Sequence, residues 1–327
     1  SREDCFLVTT PLAHRTGFAR LANALTPGGT LVVMRKFDPG QAVATIEREK
    51  ITVAGMVPTV CRLLLPEIEA DPSRCASLRR IVVTGEAFPV DLKRRFLALL
   101  PKARLVSFFA MTEVGGVTLL SHEEQFDHAA SIGRPMPGVE VRIVDDAGGP
   151  VKTGEPGELL VRVGEPGRYA VMRGYYNRPE ETAEAIEDGW MRTGDIATAD
   201  AAGYLYIVDR KKDMILSGGF NIYTKEVEQA LIAHPGIADA AVIGVPDPIF
   251  GEAVAAFVEP VPGQMLDPAA IIEHMRRLVA SYKKPTHLFI LDALPRNSLG
   301  KVLKRELRDR AGDLLAAQPA GPGKTGD

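Results

Sequence analysis

Residues 30–109 alternate two kinds of segment. Short β-branched runs lie at 30–34, 51–54 and 81–84, and a further apolar run at 104–109 closes the series. Between them come stretches with helical spacing. Residues 40–50 carry Val43 and Ile46 on one side, and residues 91–100 carry Leu92, Phe96, Leu99 and Leu100. Strands with no polar alternation are buried on both faces, and helices between them supply the cover. This part therefore predicts a buried, mainly parallel βα sheet.

The pattern changes after Glu113. Residues 139–144 and 158–163 alternate with period two, with Gly and Pro clustered at 148–150 and 154–157. Such alternation belongs to antiparallel structure with one wet face, a half-buried sheet or a small barrel. Residues 178–189 read as a short helix, with Pro179 near its first turn and Gly189 as its stop. A second unit begins near Asp209, after a strand at 204–208. Thr224 can cap a helix whose apolar face is Val227, Ala230 and Leu231, ended by Pro235 and Gly236. Strands at 240–245, 253–258 and 287–291 follow. One helix opens at Asp267 with Ile271, Met275, Leu278 and Val279 on a stripe, and another spans 302–310. Together they predict a small α+β domain of about 100 residues. Residues 318–327 are a Pro/Gly tail with nothing to bury, which predicts disorder.

Composition narrows the function classes. The chain has 327 residues, 46% hydrophobic and 25% charged, with a net charge of -3. That balance fits a globular protein of about two domains and gives no global pull toward nucleic acid or an anionic membrane. No apolar run reaches the roughly 18 residues that a membrane-spanning helix needs. Three scattered cysteines, Cys5, Cys61 and Cys75, suit neither a disulfide framework nor a zinc site, and they predict reduced thiols in the cytoplasm. The six histidines form no metal-binding pair, so a metal would arrive with a phosphate substrate. Gly323-Lys324-Thr325 mimics the end of a phosphate-binding loop, but Gln318 stands where its first glycine belongs and neither strand nor helix flanks it.

Several short motifs can carry chemistry. Thr112-Glu113 follows a sheet strand, where ligands of open parallel sheets bind; the hydroxyl suits a phosphate oxygen and the carboxylate suits Mg²⁺. A polar turn explains the same pair equally well. Gly85 ends the preceding strand and lets a flat ring approach the backbone, or simply turns the chain. Asp195 follows a glycine turn and can accept ribose hydroxyls, though Thr-Gly-Asp is also a common solvated turn. The cluster 209–213 reads as a hinge or a soluble linker. Lys301, on a Gly-bearing polar loop, can neutralise developing charge on a phosphoryl group.

The order of these motifs resembles the adenylate-forming superfamily, which includes acyl-CoA synthetases, firefly-type luciferases and peptide-synthetase adenylation domains. The likeness covers about residues 11–305. Pro11-Leu12-Ala13-His14-Arg15-Thr16-Gly17 is similar to the family's Pro-Leu-x-His-x-x-Gly segment. Thr84-Gly85-Glu86-Ala87 resembles its adenine-contacting loop, and Phe109-Ala110-Met111-Thr112-Glu113 resembles Tyr-Gly-x-Thr-Glu. Met191-Arg192-Thr193-Gly194-Asp195, the 209–222 segment and Pro295 to Lys301 follow in family order. The resemblance implies an ATP-dependent acyl-CoA ligase. A carboxylic acid and ATP give an acyl-adenylate, which the CoA thiol then attacks. It implies catalytic roles for Lys301, Thr112, Glu113 and His14, with Mg²⁺ on Glu113. It places the nucleotide against Gly85, Glu86, Ala87, Phe109, Ala110, Met111, Thr112, Asp195, Ile207, Arg210 and Lys301. CoA would pass Gly218, Gly219 and Phe220, and Asp209 would be the hinge.

The same resemblance implies a layout. Residues 1–209 would be the C-terminal portion of a large AMP-binding α/β domain, a parallel βα sheet plus an antiparallel β subdomain. Residues 210–312 would be a small mobile α+β domain, and 313–327 a disordered tail. Phe109 stands for the family's Tyr, Ala110 for Gly, and Asn297 for Thr. The Ser/Thr/Gly-rich phosphate loop that should precede Pro11 has no counterpart in the first ten residues. The expectation is that the chain comes from a longer enzyme and adenylates poorly alone. Three other readings share these motifs: a peptide-synthetase adenylation domain, a luciferase-like oxygenase, and a non-catalytic nucleotide-binding fragment.

Overall fold

A computed structural model of the chain describes residues 1–85, 88–165, 167–297 and 300–317. Glu86 and Ala87, expected at the nucleotide, and the tail beyond Ala317 lie outside the described residues. By contact the chain divides into two compact units, one of residues 1–193 and 197–207, the other of residues 194–196 and from 208 onward.

The first unit is built on a mixed sheet of seven strands: β1 (Cys5–Val8), β2 (Thr30–Val33), β3 (Val53–Met56), β4 (Arg80–Thr84), β5 (Arg104–Met111), β6 (Gly115–Leu120) and β7 (Arg134–Pro135). Their order is β2-β1-β3-β4-β5-β6-β7. Pairing from β2 through β5 is parallel, and β6 and β7 add antiparallel strands. Helices α1 (Arg15–Leu25), α2 (Pro39–Glu49), α3 (Pro58–Ala70) and α4 (Val90–Leu99) connect the parallel strands. Asp38 starts α2 by accepting from the Gln41 amide at 2.8 Å, with Pro39 in the first turn. Ile46, Leu64, Ile68, Ile81, Phe96 and Leu105 form its core, each side chain stabilising by about 1.5–3 kcal/mol when fully buried.

A second sheet, formed mostly by residues of this unit, joins β8 (Val139–Val144), β9 (Gly157–Val163), β10 (Ile186–Glu187), β11 (Trp190–Ala199) and β12 (Leu205–Arg210), with helix α5 (Pro179–Ala185) before β10. β8 and β9 pair antiparallel, as their alternation predicts. Trp190, the chain's single tryptophan, lies 4.2 Å from the Arg142 guanidinium carbon and 4.4 Å from that of Arg162. The helix expected over 178–189 stops at Ala185. Asp188 (φ 49°) and Gly189 (φ 77°) both take left-handed backbone and turn β10 into β11 as a hairpin, with Glu187 opposite Trp190.

The second unit carries β13 (Ile215–Ser217), α6 (Thr224–Ile232), β14 (Phe220–Ile222), β15 (Ile237–Asp247), β16 (Gly251–Pro260), α7 (Pro268–Arg276), β17 (His287–Ile290) and α8 (Lys304–Ala317). Its sheet runs β14-β13-β16-β15, with β17 parallel to β16. α8 continues past the 302–310 span and through 313–317, where sequence predicts disorder. Leu307, Ala311, Leu314 and Leu315 repeat at helical spacing and pack on one core, so the apolar stripe carries the helix on.

Among the described residues, one buried charge in the first unit has no ionic partner to offset it. Lys93 on α4 is 2% exposed, and its Nζ donates to the Ala129 carbonyl at 2.9 Å. Burial lowers its pKa from 10.5 to about 8. The unfolded chain binds this proton more tightly, so stability should rise between about pH 8 and 10.5. Lys93→Met is expected to abolish that rise and to add about 1–3 kcal/mol at neutral pH, as urea unfolding across the pH range would show.

Candidate functional site

In the first unit the parallel strands β1, β3, β4 and β5 all end on the same side of the sheet. That side collects several of the expected residues. Gly85 follows β4 at φ +100°, a backbone that L side chains rarely adopt, and Val57 Cγ1 would lie 3.4 Å from a Cβ there. Thr112 and Glu113 form the turn between β5 and β6, Thr112 exposed and Glu113 half-buried. The Tyr175 hydroxyl donates to Glu113 Oε1 at 3.2 Å, and the Met172 amide donates to the Glu113 carbonyl at 2.7 Å. Neither Tyr175 nor this contact is visible in the motif, because the two residues are far apart in sequence.

His14 stands after β1 as the N-cap of α1. Its Nδ1 accepts from the Thr16 amide at 3.3 Å, so the neutral ring carries its proton on Nε2. Phe109, Met111 and Ile207 are half-buried and pack against the core of the antiparallel sheet. Ala110 lies opposite Gly116, beside a register shift between Phe109 and Ala110 that re-aims the end of β5. Among the described residues no group of three or more His, Cys, Asp or Glu could hold a metal ion. A hard cation on Glu113 would therefore draw its remaining oxygens from phosphate and water, which suits Mg²⁺.

The second unit gathers the other expected residues around buried charges. Asp195 is 4% exposed, and Arg210 Nε donates to its Oδ1 at 3.1 Å. Burial pushes the Asp195 carboxyl up, while Arg210, Lys225 and Lys301 draw it back down. Lys301 thus lies within electrostatic reach of Asp195. The Lys211 amide donates to the Gly194 carbonyl at 2.8 Å, a second tie that binds residues 194–196 to this unit. The sequence boundary at 209 instead leaves Asp195 with the larger domain.

Asp209 is 1% exposed, which removes the reading of a solvated linker at this residue. Its carboxylate accepts from the Arg210 amide at 2.7 Å, from the Thr224 amide, and from Thr224 Oγ1 at 3.1 Å. Tyr223, the N-cap of α6, makes no side-chain cap bond, so Asp209 serves the first turn in its place. Lys304 Nζ donates to Thr224 Oγ1 at 2.8 Å and pairs with Glu228 Oε1 at 2.7 Å. Burial raises the Glu228 pKa and lowers that of Lys225. Sequence reasoning saw Thr224 only as a cap and missed Lys225, Glu228 and Lys304. The i, i+4 spacing of Thr224 and Glu228 was the one available signal.

Gly218 (φ 57°) and Gly219 (φ 82°) turn β13 into β14, and a Cβ on Gly218 would lie 3.1 Å from Phe250 Cδ1. Phe220 is exposed and stacks on Tyr282, with ring centroids 4.9 Å apart. Lys301 is exposed, and its backbone is clamped by Asn297. Asn297 Oδ1 accepts the Lys301 amide at 3.0 Å, and the Asn297 amide donates to the Lys301 carbonyl at 2.9 Å. A side-chain amide thus shapes the loop where the resemblance expects threonine.

Comparison with known proteins places these residues in context. The sequence profile of the AMP-binding enzyme family matches residues 1–176, and that of the AMP-binding enzyme C-terminal domain matches residues 226–301. A feruloyl-CoA synthase of Amycolatopsis sp is 39% identical over 308 residues, which is 94% of this chain and 61% of that protein. A 3-[(3aS,4S,7aS)-7a-methyl-1,5-dioxo-octahydro-1H-inden-4-yl]propanoyl:CoA ligase of Mycobacterium tuberculosis is 40% identical over 94% of this chain and 58% of its own length. Among solved structures, o-succinylbenzoate CoA synthetase from Bacillus subtilis with its acyl-adenylate intermediate superposes at a TM-score of 0.83. It is 31% identical, with 94% of this chain and 61% of that one covered. ATP-bound MatB from Rhodopseudomonas palustris gives 0.85 at 30% identity, with 96% and 61% covered. The chain thus spans about three fifths of the length of these relatives.

Thr224→Val should cost about 1–3 kcal/mol, because it strips a buried hydroxyl from both Asp209 and Lys304. Urea unfolding that shows no loss would mean that the hydroxyl carries none of this network.

Proposed function

The chain belongs to the AMP-binding enzyme family, and on that footing we propose that it serves an ATP-dependent acid–thiol ligase. The observation that carries the reading is the buried Asp195 carboxylate, held by Arg210 Nε at 3.1 Å, with the exposed Lys301 of the same unit near enough to favour its charge. A mobile ammonium beside a ribose-binding acid is the arrangement that adenylate formation needs. In the first step a carboxylate oxygen of the acid bonds to the α-phosphorus of ATP and pyrophosphate leaves. Two anions meet in that step, so cationic groups must offset their repulsion.

Each residue has a part. Lys301 bridges the acid and the α-phosphate, and Thr112 donates to the same phosphate. Asp195 accepts the ribose hydroxyls, with Arg210 holding it in place. Gly85, Phe109, Ala110, Met111 and Ile207 frame the adenine, and the Nε2 proton of His14 faces the reacting acyl group. Magnesium on Glu113 would spread the phosphate charge, and Tyr175 fixes the orientation of that carboxylate.

In the second step the thiol sulfur of CoA bonds to the acyl carbon, the thiol proton is lost, and AMP leaves. Gly218 and Gly219 keep the pantetheine path open, with Phe220 beside it. Asp209 is the pivot on which the steps exchange, and its bonds to Thr224 anchor it within the second unit. A cytoplasmic setting for this ligase rests on the three scattered cysteines; among the described residues no helix is long and apolar enough to cross a membrane.

The test separates the two half-reactions. The protein, expressed with any coding sequence that lies in frame before Ser1, is given ATP, a panel of fatty and aryl acids and labelled pyrophosphate, and separately a preformed acyl-adenylate with CoA. Lys301→Ala is expected to lower exchange by about 100-fold or more while sparing thioester formation from the added adenylate. Equal loss in both assays would falsify the assignment, and silence of that extended parent in both would end the ligase reading.

A further inference from the structure

A second buried cation of the first unit has a donor without a hydrogen-bond partner among the described residues. Arg20 on α1 is 7% exposed, and its Nε is the buried side-chain nitrogen or oxygen that lacks a hydrogen-bond partner among the described residues. Lys93, also buried, differs in having the Ala129 carbonyl. A guanidinium has five N–H donors and no way to shed its charge at neutral pH, so an unmatched one inside a protein is retained at a cost.

The surroundings make room for this side chain. A Cβ on Gly55 would come within 2.3 Å of Arg20 Nε, 2.7 Å of Cδ and 3.0 Å of Cγ, so only glycine lets the Arg20 stem lie on β3. Gly55 is one residue short of the end of β3, opposite Val8 at the end of β1. Thr9 Oγ1, just beyond β1, donates to the Gly55 carbonyl at 3.1 Å. Arg20 therefore sits at the strand ends, where the candidate site of this unit lies. A second guanidinium lies close enough to act on it electrostatically. Arg15, on the same helix, is half-buried, and its Nη2 would lie 3.8 Å from a Cβ on Gly115, two residues after Glu113. Burial and the neighbouring Arg15 charge lower the Arg20 pKa to about 10. Arg15 also feels Glu113, whereas Arg20, buried and with an unmet donor, is left as a receptor for an anion.

We propose that Arg20, assisted by Arg15, binds a second carboxylate of the acid, so that the substrate class is a dicarboxylic acid. One carboxylate reacts and the other seats on the guanidinium over Gly55. The inference rests on the acid-activating reading above and supplies its substrate class. A planar fork of donors is matched by a carboxylate in two parallel hydrogen bonds, which an alkyl or unsubstituted aryl tail cannot make. A monocarboxylic acid of equal length would leave the donor unmet.

The test uses calorimetry on the protein saturated with AMP. Succinate, glutarate, adipate, suberate and phthalate are each titrated against the monocarboxylic acid of the same skeleton. At least one diacid should bind about tenfold or more tightly than its partner. Arg20→Met should erase that ratio, and Arg20→Lys should keep part of it. Gly55→Ala, which displaces the Arg20 stem, should erase it as well. Without ligand, Arg20→Met should be no less stable than the parent in urea, because it removes an unmatched buried charge. Equal affinities for diacids and monoacids in the parent overturn the proposal and leave the ligase reading standing. Lost stability in Arg20→Met also counts against it, because that would reveal a structural partner. Failure of AMP to bind overturns the ligase reading on which it rests.

Discussion

A carboxylate taken almost wholly out of water must be met by donors, and Asp209 meets that demand in a way that organises the second unit. Its two oxygens take the amide and hydroxyl of Thr224, which fixes where α6 begins. The Thr224 hydroxyl in turn receives Lys304 from the start of α8, and Lys304 reaches Glu228 one turn along α6. The amide of Arg210 also closes on Asp209, while its guanidinium turns to Asp195. A residue that the family resemblance marks as a hinge is thus bonded through both of its carboxylate oxygens. Any rotation about it must exchange these bonds for others of similar strength, because a buried carboxylate left unmet would cost several kcal/mol.

Much of the fold was legible because its signals are local. Continuous apolar runs marked β3, β4 and β5, and period-two alternation marked β8 and β9. β1 escaped notice: only Cys5–Val8 form the strand, and nothing in so short a run says that it inserts between β2 and β3. The hairpin at Asp188-Gly189 was taken for the end of a helix because glycine serves both purposes. Only the left-handed backbone of Asp188 beside it distinguishes them. The length of α8 was readable from Leu307, Ala311, Leu314 and Leu315, but the Pro/Gly composition of the following residues outweighed that stripe.

The candidate site divides along the same line. Thr112, Glu113, Asp195 and Lys301 stand in contiguous motifs, so the roles proposed for them can be read from the sequence. Tyr175 on Glu113, Lys304 on Thr224 and Arg20 over Gly55 depend on contacts between distant segments, which no single-sequence pattern reports. The departures from the family pattern gain a physical account. Asn297 closes the Lys301 loop through its own side chain. Ala110 sits opposite Gly116, where the partner strand brings no side chain against the added methyl.

The two guanidiniums flanking Trp190 have a practical consequence. The chain holds no other tryptophan, and this one is 7% exposed within the first unit. Indole emission therefore reports the opening of that antiparallel sheet and is silent on the second unit, whose melting must be followed by another signal. A fluorescence transition that precedes or trails the loss of far-ultraviolet circular dichroism would show the two units coming apart in sequence rather than as one cooperative body.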